Sequence, residues 1–337
     1  MRQGWIKILL LSFAMISLSG ASSYGQDPVF SQFSSAPLEL NPALTGNTIG
    51  GSLALNYRNQ WPGIDQAYVT YAVSYDHFVP YLSSGFGISL LTDNAGGGLY
   101  KTNNLNLHYA YNLRFTSTFN MKLGVEAGLI NSRVNWSKLI FLDQIDPEFG
   151  AFSPGGIPYP TSELPPSSEQ VTVFNVSAGI IAHSKSVFLG ISLNHLNTPE
   201  LSFLKTNQET FAGLPMRFSV HGGAELTAFG LGKKGQVFIA PTFQFLKQGD
   251  FSQINIGTLF RYFNWGTGVA YRHANGNPDA IILMVEGRKD AIKVAYSYDL
   301  TISSLGNTGG AHEISVQYLL DYGYDESRYN DCFNLFR

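Results

Sequence analysis

Between residues 51 and 320, apolar and polar side chains take turns along the chain. Asn104 to Arg114 follows the rule over eleven residues without a break. Leu105, Leu107, Tyr109, Tyr111 and Leu113 fall on one face, and Asn104, Asn106, His108, Ala110, Asn112 and Arg114 on the other. A period of two marks an extended strand whose two faces meet different surroundings. The pattern recurs. Leu53, Leu55 and Tyr57 oppose Asn56 and Arg58, while Val69, Tyr71, Val73 and Tyr75 oppose Thr70, Ser74 and Asp76. Met121 to Leu129 sets Lys122 and Glu126 on the polar face, and Met216 to Leu226 does the same with Arg217, Ser219, His221 and Glu225. Near the end, Ile292, Val294, Tyr296, Tyr298 and Leu300 oppose Lys293, Ser297 and Asp299. Ile314, Val316 and Tyr318 then oppose Glu313, Ser315 and Gln317.

These runs predict 14 strands, at 51–59, 68–79, 84–92, 99–114, 118–131, 171–183, 186–195, 214–227, 235–247, 250–261, 263–273, 279–287, 290–301 and 310–320. Tilted strands of about 9 to 11 residues span a bilayer, and single-chain bacterial barrels carry even strand numbers. The expectation is an all-β, antiparallel up-and-down transmembrane barrel of the outer-membrane type, with about 14 strands and 12 to 16 as its bounds. A secreted β-sandwich is the soluble competitor. Loop lengths separate the two. Even-numbered strands end in short turns such as 184–186, 264–265 and 288–290, whereas odd-numbered ones end in longer stretches at 60–67, 92–98, 132–170 and 196–213. Sorting of that kind belongs to barrels, with periplasmic turns on one rim and extracellular loops on the other.

Composition points the same way. Charged residues make up 13% of the chain against about 25% in ordinary soluble proteins, aromatics reach 14%, and there are 35 glycines. Residues 1–25 read as a secretory signal peptide: Arg2 and Lys7, an apolar run from Ile8 to Leu18, then small residues before a cleavage site between Gly25 and Gln26. Its removal leaves a net charge of about −5, which excludes a nucleic-acid footprint. The only cysteine, Cys332, makes no internal disulfide.

No catalytic constellation emerges, since the chain holds neither a GxSxG elbow nor an HExxH pair. The "GGG" at 96–98 lacks the Lys and Ser or Thr of a phosphate loop. Asp143, Asp146 and Glu148 offer hard oxygen ligands in the longest loop and are weak calcium candidates; their spacing is not that of an EF-hand, and no other metal or cofactor is expected. The polar strand faces carry Arg58, Asp76, Arg114, Lys122, Glu126, Arg217, Glu225, Arg261, Arg272, Glu286, Lys293, Asp299 and Glu313 as lumen-facing candidates. Their mixed signs fit two lumens: a closed one in which they pair, and an open pore that they line. Trp61, Tyr68, Phe78, Tyr81, Phe115, Trp136 and Trp265 lie near strand ends, as interfacial girdles require.

Residues 26–50 precede the first strand as a periplasmic or lumenal segment. They carry prolines that oppose continuous pairing and apolar residues that need something to pack against. Phe30, Phe33, Leu40, Asn41 and Pro42 are the candidates for filling the lumen or contacting a partner. Residues 321–337 form a polar, aromatic tail whose two readings are folding on a partner and plugging the lumen.

Several motifs carry a resemblance: "FSQF" at 30–33, "NPALTG" at 41–46, "SYDHF" at 74–78, "GFGISLLTDNAGG" at 85–97, "NLHYAYNL" at 106–113, "KLIFLDQIDPEFG" at 138–150 and "GGAHEISVQY" at 309–318. In this order they resemble the PorP/SprF family of type IX secretion system outer-membrane proteins. The resemblance implies a non-enzymatic barrel of the Bacteroidota, serving export or surface anchoring of a secreted protein with a sorting domain and, in some relatives, gliding motility. Partners implied are that cargo, other secretion subunits and outer-membrane lipids. A diffusion porin or small-molecule transporter is the alternative that topology alone allows, and a surface adhesin is a third reading.

Overall fold

The computed structural model describes residues 26–48, 50–64, 67–203, 213–227, 237–304, 306–320 and 333–336. Residues 1–25, on which the expected signal peptide falls, Cys332 and most of the tail lie outside the described residues. Fourteen strands run in chain order: β1 (Gly51–Gln60), β2 (Tyr68–Val79), β3 (Ser84–Ala95), β4 (Tyr100–Arg114), β5 (Asn120–Val134), β6 (Gln170–His183), β7 (Val187–Asn194), β8 (Arg217–Ala224, resumed at Leu226–Thr227), β9 (Val237–Gln248), β10 (Phe251–Tyr262), β11 (Trp265–Ala274), β12 (Asn277–Lys289), β13 (Ile292–Thr301) and β14 (Ala311–Leu319).

Each strand pairs antiparallel with its neighbour, and β1 returns to β14 from Ser52↔Leu319 to Gln60↔Ala311. The sheet is a closed barrel, so it has no free edge. The break in β8 falls at Glu225, where β9 presents Ala240 beside Pro241. Register is the same on both sides of it, with Gly223↔Thr242 and Leu226↔Ile239. Pro241 has no N–H to give, so the ladder is interrupted but not shifted.

Burial inverts the usual order. On β4, Leu105, Leu107, Tyr109 and Tyr111 are exposed, while Asn106, His108 and Ala110 are buried. That is the profile of a cylinder with an apolar exterior and a polar interior. Among the described residues, no helix is long and apolar enough to cross a membrane. Phe119, Phe263, Tyr81, Phe115 and Trp265 are exposed around one rim, as in the aromatic girdles of outer-membrane barrels. Trp61, Tyr68 and Trp136 sit at the opposite end; Phe78 is half-buried.

The loop sorting holds only in part. Long connections at 61–67, 135–169, 195–216 and 302–310 share one rim, here the loop end. At the same end, β3, β9 and β11 return through tight turns. The expected loop at 92–98 is strand as far as Ala95, which pairs with Tyr100. Gly96, Gly97 and Gly98 make the turn at φ of 62°, 63° and 85°, a backbone region that favours glycine. The opposite rim, the turn end, carries short connections at 80–83, 115–119, 184–186, 263–264 and 290–291.

Candidate functional site

The lumen is occupied by the chain itself. Residues 26–48 run from the loop end to the turn end before entering β1, and Phe30, Leu38, Leu40, Ala43 and Leu44 are all buried within it. Proline sets the local shape: Pro37 opens a four-residue helix, α1 (Pro37–Leu40), and Pro42 opens a 3-10 turn, each at a first position where no N–H is needed. Between them, Asn41 is extended and its Oδ1 accepts from the Ala43 N–H at 2.9 Å, capping the second turn.

Near Ser31 the segment is clamped by charge. Glu313 of β14 accepts from two successive backbone N–H groups, Ser31 at 2.8 Å and Gln32 at 2.9 Å. Arg58 of β1 bridges Glu313 and Asp299 of β13, both at 3.1 Å, and donates to Ser31 Oγ at 2.7 Å. Ser31 Oγ in turn donates to Asp299 at 2.6 Å, and Arg272 of β11 reaches Asp299 at 2.9 Å and also pairs with Asp279. Charges this deep persist only when paired and hydrogen-bonded. Closer to the loop end, Asp27 contacts His195 at 2.7 Å and Arg217 at 3.1 Å. Burial alone would raise the Asp27 carboxyl, but His195 and Arg217 beside it outweigh burial and hold it well below the usual carboxylate range.

Near the turn end the segment is seated by shape. Gly85, Ala110, Gly124, Gly179, Ser192 and Ser219 pair in one cross-strand row over β3 to β8. A Cβ on Gly124 would lie 2.2 Å from Ala43 N, one on Gly179 1.9 Å from Asn41 Oδ1, and one on Gly85 2.4 Å from Thr45 O. The row is a shallow trough that brings two backbones together. Asn41 Nδ2 donates across it to the carbonyls of Ile191 at 3.1 Å and Ile180 at 3.3 Å, and Ser192 Oγ donates to Leu40 O at 3.0 Å. Lys122 donates to Thr45 O at 2.9 Å and Asn47 Oδ1 at 2.7 Å, and Gly46 N donates to Asp76 at 2.6 Å.

Above the segment, on the loop side, lies a cavity of about 660 Å³ lined by Asp27, Arg58, Trp61, Asp93, Tyr100 and Gln253 among others. Below it, Phe333, Leu335 and Phe336 are buried against Ile181, Phe188, Phe238, Ala240 and Leu259.

The sequence candidates divide accordingly. Arg58, Asp76, Glu126, Lys293, Asp299 and Glu313 are buried on the inner wall, and Arg217 is half-buried beside Asp27. Glu225 is buried and accepts from Asn334 at 2.7 Å. Arg114 departs from the expectation and is exposed at the end of β4. Phe30, Leu40, Asn41 and Pro42 are buried in the lumen, with Phe33 half-buried against the ring cluster.

Asp143, Asp146 and Glu148 are not brought together on one point. Asp143 accepts from Thr161 and Ser162, and Asp146 accepts from the N–H groups of Glu148 and Phe149. Among the described residues, no group of three His, Cys, Asp or Glu side chains is placed to hold a metal. Ser89, His108 and Glu126 stand in nucleophile, base and acid order, at 2.9 Å and 3.5 Å. Burial to 5% or less gives the serine no approach for a substrate.

The glycine row escaped sequence reasoning, which offered lumen plugging as one reading of the tail at 321–337 but did not single out residues 333–336. Glycine on the inward positions of otherwise regular strands was the available signal, because glycine weakens a strand unless something must come close.

No curated protein matches the sequence. Solved structures share the barrel at low identity. The toluene transporter TbuX of Ralstonia pickettii is 10% identical, with a TM-score of 0.48 over 84% of this chain and 91% of that one. A deletion mutant of the monoaromatic hydrocarbon channel TodX is 11% identical with a TM-score of 0.50 over 84% and 92%. Omp33 of Acinetobacter baumannii is 5% identical, with a TM-score of 0.45 over 80% and 98%. These likenesses speak to fold alone. The family described as type IX secretion system membrane protein PorP/SprF matches residues 22–318, nearly the whole barrel together with its inner segment. The chain belongs to the PorP/SprF family of type IX secretion system membrane proteins.

Proposed function

We propose that this barrel is a non-enzymatic outer-membrane component of type IX secretion that docks a secreted protein, assisting its export or its anchoring at the surface, rather than conducting solutes. The observation that carries the reading is the occupied lumen. Residues 26–48 are bonded to the inner wall along their length, and residues 333–336 pack below them. A partner then meets the rims, where the connection 135–169 stands at the loop end. For cargo we infer a large surface protein with a type IX sorting domain, a gliding adhesin being one such, and for companions the other subunits of the apparatus.

Crosslinking from residues 135–169 in intact cells, followed by mass spectrometry, tests this. The secreted protein and secretion subunits are the expected captures; recovery of neither sinks the proposal. Planar-bilayer recording separates it from a diffusion porin, for which the purified chain would show steady conductance.

A further inference from the structure

We propose that the turn-end half of the lumen is a peptide-binding site, filled here in cis by Phe333–Phe336, that accepts short segments of the same chemistry from other chains. The ligand class is a turn with aromatic residues at its first and fourth positions.

Three successive backbone carbonyls of the segment are each taken by a different strand. Arg261 Nη1 of β10 donates to Asn334 O at 2.8 Å, Lys293 Nζ of β13 to Leu335 O at 3.4 Å, and Gln317 Nε2 of β14 to Phe336 O at 3.0 Å. Secondary structure normally satisfies such carbonyls within the chain or the sheet. Here wall side chains do it, and the shortest of the three bonds comes from the Arg261 guanidinium, a charged donor of the stronger kind. Arg261 is held ready by Glu286 at 2.7 Å and lies over the Phe238 ring at 5.0 Å. The one side-chain amide is read as well, Asn334 Nδ2 donating to Glu225 at 2.7 Å.

The rings fill a made pocket. Phe333 meets His183 at 4.6 Å and Phe188 at 5.9 Å between centroids, and Phe336 meets Phe188 at 5.4 Å. The two are brought side by side by the Phe336 N–H to Phe333 O bond at 2.9 Å. Carbonyl donors on the wall, an aromatic pocket and one amide reader are the parts of a peptide receptor, which reads main chain for affinity and side chains for specificity. All of them belong to β6, β7, β8, β9, β10, β12, β13 and β14. None of the wall's parts comes from the occupant itself.

A tethered occupant is present at an effective concentration in the millimolar range, so a free peptide competes poorly until the tether is cut. A chain ended after residue 320 and a fluorescent peptide covering residues 331–337 provide the test, with anisotropy as the readout. The shortened barrel is expected to bind the peptide saturably, at least tenfold tighter than the full chain does, with Phe238→Ala in the shortened barrel weakening it about tenfold. Equal binding of a scrambled peptide, or no tighter binding by the shortened barrel than by the full chain, overturns the proposal. Heat-shifted gel mobility confirms that each barrel is folded. Failure here leaves the docking role intact, since that role is read at the loop-end rim and by crosslinking.

Discussion

The two halves of the lumen hold the same inner segment by different physics. Toward the loop end, Asp27 and Ser31 meet the wall through carboxylates and guanidiniums, beside a cavity of about 660 Å³. Toward the turn end, Asn41 to Gly46 lie in a glycine trough, with buried rings beneath. Ion pairs are directional and tolerate space around them, whereas a trough works only at van der Waals contact. One half specifies which groups must be present, and the other specifies how close the chain comes.

The sharpest way to break the charged half is Glu313→Ala. It leaves two backbone N–H groups unmet and takes from Arg58 one of its two carboxylate partners, and buried pairs broken from one side lose about 3 to 5 kcal/mol. Chemical unfolding in detergent should show that loss; a value under about 1 kcal/mol would mean the clamp is not what holds the segment. Next comes the shaped half. Gly124→Val places side-chain carbon against the Ala43 backbone, and overpacking of that kind costs about 1 to 3 kcal/mol. Limited proteolysis should then cut within residues 26–48, which the parent protects, while the strands stay intact. Asn41→Ala removes a cap and two donations to strand carbonyls, with an expected loss of about 1 to 2 kcal/mol in the same unfolding assay.

Acid should separate the halves least. Because the Asp27 carboxyl is held low in the fold, its contribution is fully present above the ordinary value of about 3.9 and is lost only as pH falls through the lower folded value. Amide exchange at Asp27, whose N–H donates to Gln248 at 3.1 Å, measured from pH 8 down to 4.5, should therefore report unchanged protection. Release near pH 6 would show that Asp27 is not the anchor.

The strands were legible because each one separates lipid from lumen, so alternation is forced at every step; the 14 expected spans coincide with β1 to β14 within a few residues. Turn lengths were less so. At 92–98 the polar, glycine-rich string reads as a loop, yet Asp93 accepts from Thr70 at 2.6 Å and the pairing continues to Ala95. Arg114 obeyed the alternation but lies where the strand leaves the wall, and periodicity says nothing about where a wall ends. The inner segment was legible as something needing a surface, through its prolines and buried-type residues. Its partners were not: Ser31 meets Glu313 across 282 positions, and only closure of the cylinder makes them neighbours. Burial of Phe333 to Phe336 left no periodic trace, since four residues cannot establish a period.

Arg58 stands on the first strand, Glu313 on the last and Asp299 on the one before it. The groups that grip Ser31 are thus assembled from both lips of the seam where the cylinder shuts. A wall still open between β1 and β14 has no such grip, and a wall that shuts without the segment leaves Glu313 without the Ser31 and Gln32 amides. Sealing the wall and securing residues 26–48 inside it therefore draw on the same side chains.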